Sequence, residues 1–158
     1  MPSHAGANRA AFDAWFEAAM AAAASGSEIP FATLERATGR PVGSTRYMSL
    51  APEHRRLEIG YTWLAASVWR SGVNAEAKLL QLAHAFERMG CRRVEFKTDA
   101  LNERSRLALQ ALPARFEGIH RKHMLVREAE SRDSAWYSVI EDDWPRVAAA
   151  LRRRLAGG

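Results

Sequence analysis

One sequence feature restricts this fold more than any other. It is a strand-like run that leads through a short glycine-containing turn into a long apolar helix. The run spans residues 57–64, the turn contains Gly72, and the helix is predicted over 73–89. The first N–H groups of a helix have no partner within the helix, and the helix dipole places about half a positive charge there. The turn is therefore expected to bind an anion such as a phosphate. In the alternative interpretation, Gly72 only caps the turn into the helix.

Composition and charge indicate an ordinary globular protein. The chain has 158 residues, of which 47% are hydrophobic and 26% are charged, with a formal net charge of +5. This length is typical of one domain with a sizeable core. The excess arginines are spread along the chain, and only Arg152 to Arg154 form a run, which we interpret as a solvated helix face. The pattern therefore argues against a nucleic-acid partner.

The sequence also predicts a cellular location. Cys91 is the only cysteine, so no intrachain disulfide can form, as is typical of a reducing compartment. No secretory signal is present, and the alanine-rich N-terminal segment is too short and too interrupted by Asp13 and Glu17 to span a membrane. The cytoplasm is the expected location, with no membrane partner.

Hydrophobic periodicity and turn residues predict elements in the order α-β-β-β-α-β-α-β-β-α. Residues 1–8 are predicted to be a disordered tail, and residues 9–158 a single domain. The predicted helices span residues 9–24, 73–89 and 102–112, and a last helix begins at Asp143. The predicted strands span residues 31–36, 42–50, 56–64, 93–98, 116–126 and 135–140. This order predicts an α/β (α+β) fold with a mixed sheet on which helices pack.

Four segments in this order resemble the GCN5-related N-acetyltransferase (GNAT) superfamily, in particular its branch of ribosomal-protein N-terminal acetyltransferases. They span residues 57–61, 69–77, 94–99 and 102–105, and the resemblance covers residues 9–155. It implies the acyl-CoA N-acyltransferase fold, a mixed and mostly antiparallel sheet of about six strands flanked by helices. It also implies transfer of an acetyl group from acetyl-CoA, without a metal, to a primary amine of a protein N-terminus or small molecule. The amine would attack directly in a ternary complex. A non-catalytic acyl-CoA-binding or interaction module of the same fold is the alternative.

The resemblance further implies which residues hold the coenzyme. The family signature of the phosphate loop is Gln/Arg-x-x-Gly-x-Gly/Ala, which Gly72 matches and from which Trp69 and Asn74 depart. The pyrophosphate is expected on backbone N–H groups of this loop, and the pantetheine arm along the backbone edge of a strand that splays from its neighbour. Asn102 corresponds to a coenzyme-contacting asparagine, although a helix N-cap is its alternative role. The implied coenzyme-binding residues are Tyr61, Thr62, Trp63, Arg70, Ser71, Gly72, Val73, Asn74, Ala75, Asn102 and Ser105.

Three side chains are candidates for the chemistry. Glu58 lies on the strand beside the expected acetyl site and is the first choice for the base, with an ion pair to an arginine as the alternative. Strand alternation predicts that Glu58 shares a face with Gly60 and Thr62, and that Gly60 marks a bulge or close backbone approach. Glu95 on the next strand is the second choice, with a solvated or ion-paired role as the alternative. Ser105 is expected to hydrogen-bond the coenzyme or its sulfur.

Other polar residues contribute less to the predicted site. The odd spacing of His120 and His123 predicts opposite faces of one strand, so at most one of them faces the site, and no metal pattern follows. Many members of the superfamily place a tyrosine acid about seven residues after the asparagine, where this chain has Leu109. The resemblance therefore implies no tyrosine acid here.

The resemblance also implies a missing segment. A typical member has a strand and one or two helices before the part that corresponds to residues 9–24, and this sequence does not contain them. Three interpretations stay open: a truncated start, a partner chain that completes the sheet edge, or a degenerate relative that binds the coenzyme weakly. Because an exposed edge strand favours association, a homodimer is one expectation.

Overall fold

The computed structural model describes residues 8–126 and 129–157, and the elements follow the predicted order. The helices are α1 (Arg9–Ala24), α2 (Val73–Ala83), α3 (Glu103–Ala111) and α4 (Trp144–Ala156). The strands are β1 (Ile29–Leu34), β2 (Pro41–Ala51), β3 (Arg56–Leu64), β4 (Arg93–Asp99), β5 (Arg115–Val126) and β6 (Glu130–Ile140). Of the predicted tail, residues 1–7 lie outside the described residues, whereas the Asn8 side chain caps α1 by accepting from Ala11 N–H at 2.9 Å. No helix in the described part of the chain is both long and apolar enough to cross a bilayer.

The strands form one six-stranded sheet in the order β1-β2-β3-β4-β6-β5. Only β3 and β4 are paired in parallel, and each of the other neighbouring pairs is antiparallel. The predicted mixed, mostly antiparallel sheet flanked by helices is thus confirmed.

The core lies where α2 and α4 pack on one face of this sheet, which we call the helix face. Alternate residues of β3 and β4 point there, because successive strand residues face opposite sides. Leu57 and Val94 are fully buried beside Leu82 of α2 and Leu151 of α4. Each such side chain contributes about 1.5–3 kcal/mol of burial free energy. The helix face therefore anchors the middle of the sheet, and the opposite face carries the charged residues.

One strand boundary differs clearly from the prediction. Strand β6 begins at Glu130 rather than at Ala135, and Ser131 pairs with Leu125 of β5. Residues 131–133 are polar, exposed or half-buried, and typical of a turn, but the outer part of an antiparallel hairpin is solvated and accepts them. Ser134, which follows them, is fully buried. The β5–β6 hairpin is consequently longer than the hydrophobic pattern indicates.

Gly43 is the position in β2 where a side chain is least tolerated. A Cβ there would overlap the Trp63 carbonyl oxygen and lie 2.5 Å from Leu64 Cδ2, both on β3. We expect Gly43→Ala to lower the free energy of unfolding by about 1–3 kcal/mol, because the β2–β3 pair must shift. Urea unfolding measures the change, with Gly157→Ala as the control, since its Cβ would lie at an ordinary 3.6 Å from Arg153 O. Equal stability of the two variants would contradict this close approach.

Candidate active site

A cleft opens between β3 and β4 because the two strands pair over only part of their length. The parallel register joins Arg56 to Arg93, Leu57 to Val94 and Glu58 to Glu95, and over the described residues it stops there. Both strands continue, β3 to Leu64 and β4 to Asp99. The expected splay is confirmed, and the β3 backbone edge beyond Glu58 is turned toward the cleft.

A β-bulge lies on β3 beside this cleft. Ser44 of β2 is opposite Trp63 and Arg46 is opposite Gly60, so a two-residue step on β2 faces a three-residue step on β3. Tyr61 takes a left-handed backbone conformation, with φ of 49°. A Cβ on Gly60 would lie 2.5 Å from Met48 Sδ and 3.4 Å from Glu58 Oε1. The predicted bulge or close approach at Gly60 is therefore present.

The bulge also corrects the predicted faces of β3. Gly60 shares a face with Glu58, but Thr62 lies on the helix face, where its hydroxyl contacts Lys78 of α2 at 2.8 Å. Tyr61 and Trp63 instead lie on the side of Glu58. The extra residue reverses the alternation after Gly60, because each bulge shifts the period of two by one position.

Glu58 and Glu95 form the last registered pair before the splay, and the Glu58 side chain is almost fully buried at 2% exposure. Its Oε2 lies 3.4 Å from Lys97 Nζ and 3.4 Å from Ser49 Oγ. Burial raises the pKa of Glu58 above its ordinary value, and the Lys97 ammonium partly offsets this rise. The alternative predicted for Glu58 was an ion pair with an arginine. The structure instead places a lysine, Lys97, at 3.4 Å from its carboxylate.

Glu95, the second predicted base, has both carboxylate oxygens engaged. Arg56 Nη1 donates to Oε2 at 3.2 Å, and Arg93 Nε donates to Oε1 at 2.7 Å. Arg93 also pairs with Glu117 of β5. Because two guanidinium groups hold this carboxylate, the geometry favours Glu58 over Glu95 as a proton acceptor.

His120 and His123 lie on the same face of β5, contrary to the prediction. Their rings are 5.0 Å and 5.6 Å from the Trp136 ring and 5.6 Å from each other. His120 is opposite Ser134 and Met124 is opposite Arg132, so a four-residue step on β5 faces a two-residue step on β6. These additional residues cancel the odd spacing. Lys97 Nζ lies 5.3 Å from the Trp136 ring centroid and also contacts Glu58. Lys97 therefore connects the two histidines and Trp136 to Glu58.

A turn that contains Gly72 precedes α2, as predicted. Gly72 has φ of 84° and caps the helix, and the first bond of the helical ladder joins Glu76 N–H to Gly72 O at 3.0 Å. The N–H groups of residues 73–75 therefore lie ahead of the ladder, available to a bound anion. Arg70 also has a left-handed conformation, with φ of 65°, and Ser71 Oγ donates to Val68 O at 2.7 Å.

The start of α3 meets this turn through a stacked pair. The Arg104 guanidinium lies 3.6 Å from the Trp69 ring centroid, and Trp69 Nε1 donates to Leu64 O at 2.9 Å. Asn102 Oδ1 accepts from Ser105 N–H at 3.0 Å, so the predicted N-cap role is confirmed. The residue that departs from the phosphate signature, Trp69, is thus fixed between β3 and α3.

Two buried cations escaped the sequence analysis. Lys78 is 6% exposed, and its ammonium donates to Thr45, Thr62 and Gln81 at 3.2, 2.8 and 2.9 Å, respectively. Burial lowers the pKa of Lys78 to about 7. The spacing of Lys78 from Ala75 and Leu82 could have indicated its burial, because positions i−3 and i+4 share one helix face with position i. Arg46, in the middle of β2, is 4% exposed.

Within residues 8–126 and 129–157, no three His, Cys, Asp or Glu side chains converge as metal ligands.

A bulged strand that splays from a parallel neighbour, with a helix N-terminus at the splay, defines the acyl-CoA N-acyltransferase fold. The family model for the acetyltransferase (GNAT) domain matches residues 2–115, and the chain belongs to the GNAT acetyltransferase family.

Three known proteins illustrate the similarity. The uncharacterized N-acetyltransferase YoaA of Bacillus subtilis (strain 168) is 28% identical over 106 residues, which cover 67% of this chain and 59% of YoaA. A crystal structure of a GCN5-related N-acetyltransferase from Brucella melitensis has 33% identity and a TM-score of 0.84, covering 93% of this chain and 65% of that one. Mycobacterium smegmatis RimJ in complex with CoA-disulfide shares the fold, with a TM-score of 0.75 at 24% identity, over 92% of this chain and 68% of RimJ. The chain thus spans less than two thirds of the length of the first two proteins.

Proposed function

We propose that this protein transfers the acetyl group of acetyl-CoA to a primary amine by direct attack in a ternary complex. The observation that carries the proposal is the buried Glu58 carboxylate at the point where β3 and β4 splay. A single buried thiol, Cys91, suits a reducing compartment such as the cytoplasm. The protein N-terminus and small amines both remain within the proposed acceptor class.

The coenzyme would lie along the cleft from the turn at Gly72 to the bulge on β3. The N–H groups ahead of the α2 ladder suit the pyrophosphate, and the β3 edge suits the amide groups of the pantetheine arm. The family membership supports acetyl-CoA as the ligand of this cleft. Asn102 and Ser105 at the start of α3 would flank the arm.

In the chemical step, the amine nitrogen attacks the thioester carbonyl carbon, and the C–S bond breaks to release the thiolate of coenzyme A. The amine must be neutral to attack, and Glu58 would accept the proton that it loses, directly or through water. Backbone N–H groups at the bulge would polarise the carbonyl oxygen. No tyrosine stands at Leu109 to protonate the thiolate, which is a good leaving group without an acid.

Gly72 provides a test of the coenzyme site. We expect Gly72→Val to weaken acetyl-CoA binding by about tenfold or more, since a β-branched residue is strained at φ of 84° and distorts the anion-binding turn. Isothermal titration calorimetry with acetyl-CoA measures the dissociation constant. Gly39→Val is the matched control, because Gly39 has φ of 67° in the remote β1–β2 turn. Equal affinities of the two variants would contradict the assigned site.

The non-catalytic alternative predicts the same calorimetric result and differs only in the transfer step. A screen of amines and peptide N-termini with acetyl-CoA, followed by mass spectrometry, distinguishes the two functions. Acetylated amine together with released coenzyme A supports the enzyme. Coenzyme binding without any acetylated amine across the screen supports the binding module.

A further inference from the structure

We propose that Arg46 binds the carboxylate of the acceptor, so that the acceptor is a small amine that also carries a carboxylate, as an amino acid does. This inference rests on the proposed acetyl transfer for its biological meaning. The binding of a carboxylate at Arg46 can nevertheless be tested without turnover.

Two N–H donors on one edge of the Arg46 guanidinium have no protein partner. Nη1 donates to Glu28 Oε2 at 2.7 Å, whereas Nε and Nη2 are buried and unpartnered among the described residues. These two nitrogens form the side-on fork of arginine, whose parallel N–H groups match the two oxygens of a carboxylate. A buried donor pair without an acceptor is costly, so these two N–H groups favour an acceptor group beside them.

Two tryptophans extend this group of donors. Trp15 of α1 and Trp63 of β3 stack edge to face at 6.2 Å, and each has a buried indole N–H without a partner in the described chain. The Arg46 guanidinium lies 4.9 Å from the Trp15 ring. Together with Arg46 they hold four of the seven buried side-chain atoms that lack a partner over these residues. All four are donors, which indicates a ligand that supplies only acceptors.

The ring contacts of Arg46 restrict how a ligand can approach it. Trp15 covers one side of the group, and Tyr61 lies 4.5 Å from the guanidinium. Tyr61 is 46% exposed and belongs to the bulge beside the cleft. Both rings contact the guanidinium, whereas its Nε and Nη2 edge has no partner among the described residues. A planar carboxylate suits this edge.

The register places Arg46 and Glu58 near each other on one face of the sheet. Arg46 is opposite Gly60, and Glu58 lies two residues earlier on the same face of β3. Neighbouring strands are about 4.8 Å apart and two residues span about 6.6 Å. An amine near Glu58 and a carboxylate at Arg46 would then belong to one small amino acid or a slightly longer ω-amino acid.

Nuclear magnetic resonance tests the inference directly. The probes are N-acetylglycine, the product expected from the smallest amino acid, and the uncharged N-acetylglycinamide, each titrated to about 10 mM into the full chain, a range that detects weak binding. We expect the Arg46 Nε–H signal and the Trp15 or Trp63 indole N–H signal to shift with the acid and not with the amide. In Arg46→Lys, which keeps the charge but lacks the fork, the indole shift should disappear.

Glu28→Gln is the matched control, because it removes the negative charge of the existing partner of Arg46 and leaves the fork intact. We expect it to keep or strengthen the response to N-acetylglycine. Unchanged Arg46 and indole signals with the acid, or equal shifts with the amide, would overturn the inference, and the wild-type titration decides this even where Arg46→Lys does not fold.

A kinetic comparison links the site to transfer. In the wild type, kcat/KM for an amino acid should exceed that for its α-amide by at least about tenfold, and the ratio should approach one in Arg46→Lys. Carboxylate binding without acetylation of any amine would refute the proposed function but not the Arg46 site. Acetylation of amides and acids at equal rates would refute the Arg46 site but not the function.

Discussion

Replacing Glu58 with glutamine is expected to lower kcat by about 10²-fold or more, while acetyl-CoA affinity changes by less than about twofold. The amide preserves the shape of the side chain but cannot accept the proton of the attacking amine. The buried position, 2% exposed, makes replacement of Glu58 by a water molecule difficult. Steady-state kinetics with a responsive amine, together with calorimetry, measures both quantities.

The pH dependence gives the same prediction a second readout. As the pH is lowered, the wild-type rate should fall when the Glu58 carboxylate becomes protonated. Because burial raises the pKa of Glu58, this fall should begin at a higher pH than for an ordinary glutamate. Glu58→Gln should lack this acidic limb. Glu95→Gln is the matched control: it leaves Arg56 and Arg93 without their shared partner, so it should cost stability more than turnover. A wild-type rate and pH profile in Glu58→Gln would remove Glu58 as the base.

Lys78 is expected to make the stability of the fold depend strongly on pH. Its pKa is about 7 in the folded chain, against about 10.4 for an ordinary lysine. Between these values the unfolded chain holds a proton that the folded chain lacks, so unfolding takes up a proton and stability rises with pH. Below pH 7 both states are protonated, and the full cost of the buried charge is present.

Comparison with Lys78→Met isolates this contribution. From about pH 7 to pH 10, the free energy of unfolding of the wild type should rise by roughly 2–4 kcal/mol relative to the variant. The wild type is compared with the variant because other groups also change stability with pH. Burial raises the pKa of Cys91 and Tyr47, which lowers the stability of both proteins at high pH. Urea unfolding at each pH measures the difference, with Lys122→Met at an exposed position as the control. A pH-independent difference between wild type and Lys78→Met would show that Lys78 stays protonated in the fold.

The order of the elements and the glycine turn before α2 were predictable because both depend on local patterns. Apolar spacing and turn residues suffice to locate α2, and the glycine before it marks the helix start. The N-cap role of Asn102 was predictable for the same reason, because its side chain accepts from the N–H of Ser105, three positions later. The resemblance of four short segments then identified the family, since their order and spacing are more specific than any one of them.

The predicted faces failed at Thr62 and His123 for a shared physical reason. Both residues follow additional residues in β3 and β5, and the register of a strand depends on its partner rather than on its own sequence. The buried states of Arg46 and Lys78 were missed on similar grounds. A charged side chain is usually solvated, and only the packing of α1 and α2 reveals that these two are enclosed.

Transfer of a labelled acetyl group from acetyl-CoA to an amine, followed by mass spectrometry, is the measurement that most directly tests the central claim. The full chain is incubated with deuterated acetyl-CoA and a panel of amino acids, other amines and peptide N-termini. The account predicts a labelled N-acetyl product and an equal amount of released coenzyme A, both strongly reduced in Glu58→Gln. Bound acetyl-CoA with no labelled amine in any reaction would contradict it.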